Sequence, residues 1–187
     1  MDMKDKIIAA CRELAREWGF NRINMDILAA RAGISKRTVY RYFPGKEAII
    51  EATLEAFMNE VSTEADRLLL QTTDPAQILS GLLNYLFKHG QFVINSYSFN
   101  DLRVYYPRLW QKIDRFRLER LVSVLNLINH PEKAPAASQT DPRIISAVIL
   151  ASVQAVLNPD FVLANNLTFE ETARQLSNLL LNGFIPR

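Results

Sequence analysis

Residues 34–50 read ISKRTVYRYFPGKEAII, a short cation-rich stretch closed by Pro44-Gly45 and followed by the start of a longer apolar pattern. The spacing predicts a helix that begins after Ser35 and runs to about Phe43. On that helix residues 36, 37, 40 and 41 share one side through i,i+3 and i,i+4 spacing. Lys36, Arg37, Tyr40 and Arg41 therefore form an outward face without an acid, while Val39 and Phe43 point to the opposite side. Ile34 plugs back into the core. Pro44-Gly45 breaks the helix. A long helix then starts near Lys46, with Ile50, Leu54, Phe57, Val61, Ala65 and Leu68 in helical register.

Upstream, Ile7, Cys11, Leu14 and Trp18 form the apolar stripe of a first helix, which Gly19 ends as a left-handed cap. Asn24 caps a second, short helix carrying Met25, Leu28, Ala29 and Ala32 inward. The turn AGIS, residues 32–35, joins it to the cationic helix. Gly33 suits that turn because a left-handed backbone is least costly at glycine. Helix, short helix, tight turn, short helix is the layout of a helix-turn-helix. A B-DNA major groove admits one helix, and Lys36, Arg37 and Arg41 can donate to guanine O6 and N7. Thr38, Tyr40 and Tyr42 can donate to phosphate oxygens, which fixes register without reading sequence. Lys46 adds charge where a helix N-terminus already favours phosphate. The bland alternative for each residue is a solvated helix face.

The charge distribution supports the sharper reading. The chain has 187 residues and a net charge of +2. Residues 1–53 hold ten Lys/Arg against seven Asp/Glu, a net of +3, and the remainder is at −1. Between Ile27 and Lys46 there are five cations and no acid. A compact cationic patch on a near-neutral chain is an electrostatic footprint for a polyanion.

Residues 7–57, IIAACRELAREWGFNRINMDILAARAGISKRTVYRYFPGKEAIIEATLEAF, resemble the N-terminal DNA-binding domain of the TetR family of bacterial transcriptional regulators. The resemblance is carried by WGF after the first helix, by AGIS, and by TVYRYFPGKEAI. It implies that Lys36, Arg37 and Arg41 face bases. It implies that Ser35, Thr38, Tyr40, Tyr42 and Lys46 hold phosphates. Family members usually have threonine where Asn24 stands, and often an acid where Ile27 stands. Asparagine caps a helix equally well and reaches a phosphate, so Asn24 joins the expected DNA-binding set.

Beyond residue 57 the helical period continues. Asp74-Pro75 opens a fifth helix with Ile78, Leu82, Leu86 and Val93 inward. A looser stretch, NSYSFNDLRVYY, holds a short helix. Pro107 starts a long one with Trp110, Ile113, Leu118, Leu121, Leu125 and Ile128. Residues 130–141, HPEKAPAASQTD, read as a linker. Asp141-Pro142 opens a helix to about Leu157 that is apolar nearly all round. Thr168 caps the last, with Glu171 completing a capping box and Leu176, Leu179, Leu180 and Leu181 along it. The fold class expected is all-α, with about nine helices. Residues 1–46 form a helix-turn-helix DNA-binding domain, joined by a long shared helix to a helical effector-binding and dimerisation domain, residues 47–187. A change in packing at the far end of that shared rod would move its near end.

A helix apolar all round is buried on all sides. The simplest cover for the last two helices, about 142–157 and 169–182, is the same pair from a second copy. The resemblance implies the same homodimer, and a dyad suits a palindromic operator in double-stranded DNA. Candidate residues around an unidentified small-molecule effector are Phe87, Phe92, Asn95, Tyr105, Trp110 and Gln154, since aromatics with a few polar groups suit such pockets. At helical spacing the same residues also suit plain core. The expected function is a ligand-responsive, sequence-specific regulator, with repressor as the family default. The alternative is a helical small-molecule-binding or partner-binding module that has lost operator recognition.

Other classes fit poorly. One cysteine, Cys11, excludes an internal disulfide framework and suits a reducing, cytoplasmic setting. The N-terminus has no signal-peptide pattern. The nearly apolar run 144–157 is shorter than the roughly 20 residues a membrane span needs. His89 and His130 form no metal-binding pair, so no metal and no cofactor is expected. There is no GxGxxG, Tyr40 stands where a phosphate loop would need its first glycine, and no serine or cysteine has a base beside it. An enzyme is not expected.

Overall fold

The computed structural model describes residues 2–72, 74–128 and 141–184. The linker-like residues 130–140, with His130, and the side chains of Leu125, Ile128 and Leu181 lie outside what is described. Among the described residues there are eleven helices and no strand. They are α1 (Met3–Trp18), α2 (Met25–Ala32), α3 (Lys36–Tyr42), α4 (Lys46–Gln71), α5 (Pro75–His89), α6 (Gln91–Ile94), α7 (Ser96–Tyr105), α8 (Pro107–Ile128), α9 (Pro142–Val156), α10 (Pro159–Ala164) and α11 (Phe169–Phe184). Nine of them have seven residues or more.

Local chemistry explains most of the boundaries. Asp2 and Asp5 form a capping box at the start of α1. Asp141 accepts from the Arg143 amide at 2.8 Å, with Pro142 as the first residue of α9. The Thr168–Glu171 box opens α11, with bonds of 3.0 and 3.1 Å. Two boundaries differ from expectation. The fifth helix stops at His89, and Gly90 precedes a separate turn of helix, α6, that buries Phe92, Val93 and Ile94. Asn95 then caps α7 by accepting from Ser98 N at 2.9 Å. Between α9 and α11 lies α10, opened by Asn158-Pro159 with the same cap-then-proline chemistry as α9.

Packing divides the chain into two units: Met1–Glu60 with Lys88–Ile113, and Val61–Phe87 with Asp114–Arg187. In the first, α1 packs on α2, α6 and α7, and α2 carries α3. Ile7, Cys11 and Leu14 are buried as the stripe predicts, but Trp18 is 37% exposed. The chain turns at Gly19, whose ψ of 175° departs from the left-handed helical cap expected there. The fully buried Phe20 occupies the core in place of Trp18. Phe92 meets Phe20 and Phe57 edge-on, with ring centroids 6.5 and 5.2 Å apart. Arg12 lies over Phe92 and pairs with both oxygens of Glu60 at 2.9 and 3.0 Å. Along the outside, Arg108 bonds Glu47 and Glu51, and Lys112 bonds Glu51 and Glu55. Each cation thus spans two carboxylates one turn apart on α4.

In the second unit α9 packs on α10 and α11. Val153, Leu157, Val162, Phe169, Ala173, Leu176 and Leu180 are buried. Arg117 donates to the carbonyl of Leu157 at the end of α9 and pairs with Asp114. Ile144 on α9 and Leu179 on α11 stay 57% and 66% exposed in the single chain.

Candidate nucleic-acid interface

Three caps place α2 and α3. Asn24 Oδ1 accepts from the amides of Asp26 and Ile27 at 3.0 and 2.9 Å, which starts α2. Gly33 ends it with φ 65° and ψ 36°, the left-handed conformation that glycine adopts without strain. Ser35 Oγ then accepts from Thr38 N at 3.0 Å and starts α3. Val39 and Phe43 are buried beneath α3, and Ile34 is half-buried. The two-sided helix expected from the sequence is therefore formed, with its apolar side seated.

The outward side is not uniform. Lys36 Nζ donates to Asp26 Oδ2 at 2.9 Å, and that bond with its charge raises the ammonium above its ordinary value. Arg31 is likewise held by Glu17 at 2.8 Å and Glu13 at 3.4 Å. Arg37 and Arg41 are exposed, and among the described residues no carboxylate pairs with either. Arg41 stacks over the ring of Tyr42, 5.2 Å from its centroid. Tyr40 is 49% exposed beside them. Thr38 Oγ1 shares a hydrogen bond of 2.8 Å with Ser35 Oγ. Seven of the expected DNA-binding residues, from Ser35 to Tyr42, thus lie on or at the cap of one helix.

Lys46 stands apart from that group. Its Nζ donates to the carbonyl of Asn21 at 2.7 Å and lies 5.8 Å from the Tyr106 ring centroid. Burial pushes this ammonium below its ordinary value, with Asp101 and Cys11 acting the other way. The Tyr106 hydroxyl is pushed up to about 12, first by burial and then by Asp101. The Asn21 carbonyl takes one of the three donors of Lys46, which leaves two for an anion. Asp26, Asn21 and Asp101 are partners that sequence reasoning missed. Asp26 follows the Asn24 cap by two residues, which puts an acid at the start of α2; nothing local signals the other two.

The six candidate effector residues sit in varied surroundings. Phe92 is buried among Phe20, Phe57 and Arg12. Asn95 caps α7, Trp110 packs edge-on against Phe99 at 5.1 Å, and Tyr105 is exposed. In the second unit the Phe87 ring lies under Arg174, and Gln154 is exposed. Among the described residues no cluster of three or more His, Cys, Asp or Glu could hold a metal ion, and no helix is long and apolar enough to cross a membrane.

A paired cap, a left-handed glycine and an exposed unpaired arginine couple on a seated helix form a working arrangement for groove contact. Comparison with known proteins agrees. The family model described as bacterial regulatory proteins, tetR family, matches residues 7–53. YvaF, an HTH-type transcriptional regulator of Bacillus subtilis (strain 168), is 27% identical over 184 residues, 97% of this chain and 95% of its own. Among solved structures, a TetR transcription regulator from Haloarcula marismortui ATCC 43049 superposes with a TM-score of 0.73 at 18% identity, covering 98% of both chains. SmeT, the repressor of the Stenotrophomonas maltophilia multidrug efflux pump SmeDEF, gives 0.66 at 19% identity, over 100% of this chain and 92% of that one. Residues 7–53 thus carry the helix-turn-helix of the tetR family of bacterial regulatory proteins, and the chain as a whole is similar in fold to TetR-type transcriptional regulators.

Proposed function

We propose that this regulator is a cytoplasmic, homodimeric repressor that holds a palindromic operator and is released from it by a small molecule. Residues 1–46 act as the reader, and residues 47–187 bind the effector and the second copy. Arg37 and Arg41 read bases. Lys36 joins them with two donors left, its charge partly offset by Asp26. Asn24, Ser35, Thr38, Tyr40, Tyr42 and Lys46 hold phosphates and fix register. The second copy packs on α9 and α11, where Ile144 and Leu179 leave apolar surface uncovered.

The observation that carries this reading is the free arginine pair. Two arginines one turn apart on an exposed helix face, with no acid among the described residues paired to either, present concentrated positive charge to a polyanion, whereas Arg31 and Lys36 share theirs with carboxylates. Selection of bound duplexes from a random pool tests function and symmetry together. The expected product is a two-fold symmetric site whose half-sites lie about 34–36 Å apart, one turn of duplex. Enrichment of a lone half-site refutes the dimer, and enrichment of nothing refutes sequence-specific binding. Ile144→Glu and Leu179→Glu are expected to yield monomers by light scattering. Effector candidates are screened by the heat of binding in titration calorimetry, with Trp110→Phe, Phe87→Ala and Gln154→Ala as the first positions expected to weaken binding.

A further inference from the structure

The turn between α1 and α2 is held by a residue far away in sequence. Asp101 on α7 is buried, and its Oδ2 accepts from Asn21 N at 2.7 Å. The carbonyl of the same Asn21 accepts from Lys46 Nζ at 2.7 Å, so both polar backbone groups of one turn residue are engaged. Gly19 lies against the same carboxylate. A Cβ there would stand 2.5 Å from Asp101 Oδ2 and 2.9 Å from Tyr97 Cβ. Its φ of 81° with ψ of 175° is a conformation open essentially to glycine alone. One turn earlier, the Ala15 carbonyl accepts from Ser98 Oγ at 3.1 Å and from Asn95 Nδ2 at 3.3 Å. The cap and first two turns of α7 are thus bonded to the end of α1 and to the turn that follows it.

We propose that Asp101 is a positioning residue for DNA recognition: by gripping the Asn21 amide it sets the direction in which the chain enters α2, and with it the seat of α3. This rests on α3 being the reader. Asn24, which caps α2, comes three residues after Asn21, and α3 is carried on α2. A bidentate contact to a base edge tolerates errors of about 0.5 Å. Attraction to phosphate falls off slowly with distance and tolerates far more. Loss of the grip therefore damages selective binding and spares the sequence-independent part.

The test uses the full chain with Asp101→Ala, Asp101→Asn and Asp101→Ser. The probes are the duplex that the unaltered protein selects from a random pool and a random-sequence duplex of equal length. Asp101→Ala is expected to weaken the selected duplex about tenfold or more, the scale of a charge-assisted hydrogen bond. Affinity for the random duplex and its salt slope stay the same, and hydrogen exchange at the Asn21 amide accelerates. Asp101→Asn keeps an acceptor oxygen and returns the selected affinity to within about threefold. If Asp101→Ala loses its helical circular dichroism, Asp101→Ser, too short to reach the amide, takes its place with the same expectations. The proposal is overturned if the ratio between the two duplexes is unchanged, if both affinities fall together, or if Asp101→Asn is no better than Asp101→Ala. Failure of the unaltered protein to enrich any duplex refutes the sequence-specific reading and this role with it. Exchange at Asn21 then shows separately whether the grip exists.

Discussion

Lys36 Nζ lies 2.9 Å from Asp26 Oδ2, so α3 and α2 share a charge pair on the outward, cation-rich side of α3. The consequence is a ranking among the cations of α3. Arg37→Ala and Arg41→Ala are expected to cost about 1–3 kcal/mol of discrimination against the wrong base at the positions they read. Lys36→Ala is expected to cost less than either. Competition between the selected duplex and single base-pair variants measures all three, and a Lys36 effect larger than the arginine effects would reverse the ranking.

Asp26→Asn removes that restraint. The expected outcome is tighter binding to every duplex and a steeper dependence on salt, because one more cation becomes free to displace counterions. Fluorescence anisotropy across a salt series reads both.

Lys46 is engaged on Asn21 yet keeps donors for a phosphate. Lys46→Met preserves the alkyl stem and removes the charge. Binding to all sequences is expected to weaken alike, with the slope of log affinity against log salt shallower by about 0.9, the value for a single phosphate left unneutralised. A change in base preference would contradict the assignment.

The carboxylates of α4 carry a pH dependence. Hydrogen bonds from Arg108 and then Lys112 hold Glu51 at about 2 instead of the ordinary 4.5. A folded value below the unfolded one contributes stability that is present above about 4.5 and is lost as pH falls toward about 2. Glu51→Gln is expected to melt below the unaltered protein at pH 7 in low salt. The gap closes near pH 2 and shrinks in high salt, where surface pairs are screened. Thermal melts on a pH and salt grid check both trends.

Two glycines with positive φ should answer the same substitution differently. At Gly33 a Cβ would meet nothing within 4 Å, so Gly33→Ala costs about 1–2 kcal/mol for the left-handed backbone alone, and Gly33→Asn less. At Gly19 a Cβ would also meet Asp101 and Tyr97, so both alanine and asparagine should cost more than at Gly33. Denaturant melts of the four variants give the comparison.

What is legible in the sequence, and what is not, separates along contact distance. The caps Asn24, Ser35, Asp141 and Thr168 can be read because each works on an amide two or three residues away. The two-sided nature of α3 can be read because period alone decides it. Trp18 departs from its stripe because the helix ends there and Phe20 supplies the buried ring. The break at Gly90 hides inside an apolar period that continues to Val93. The start of α10 does carry a local signal, since Asn158-Pro159 repeats Asp141-Pro142, but the apolar run before it masks the boundary. The Lys36–Asp26 bond spans ten residues and Asn21–Asp101 spans eighty, so no helical wheel contains either.

The association of residues 88–113 with the first sixty has a consequence for anyone who would build hybrid regulators. Splicing two relatives at a single junction after the reader gives Asn21 a stranger's side chain at position 101. A hybrid that draws both segments from one parent keeps the acid, the glycine and the amide as a matched trio. Engineered exchange of operator preference should follow that two-segment cut.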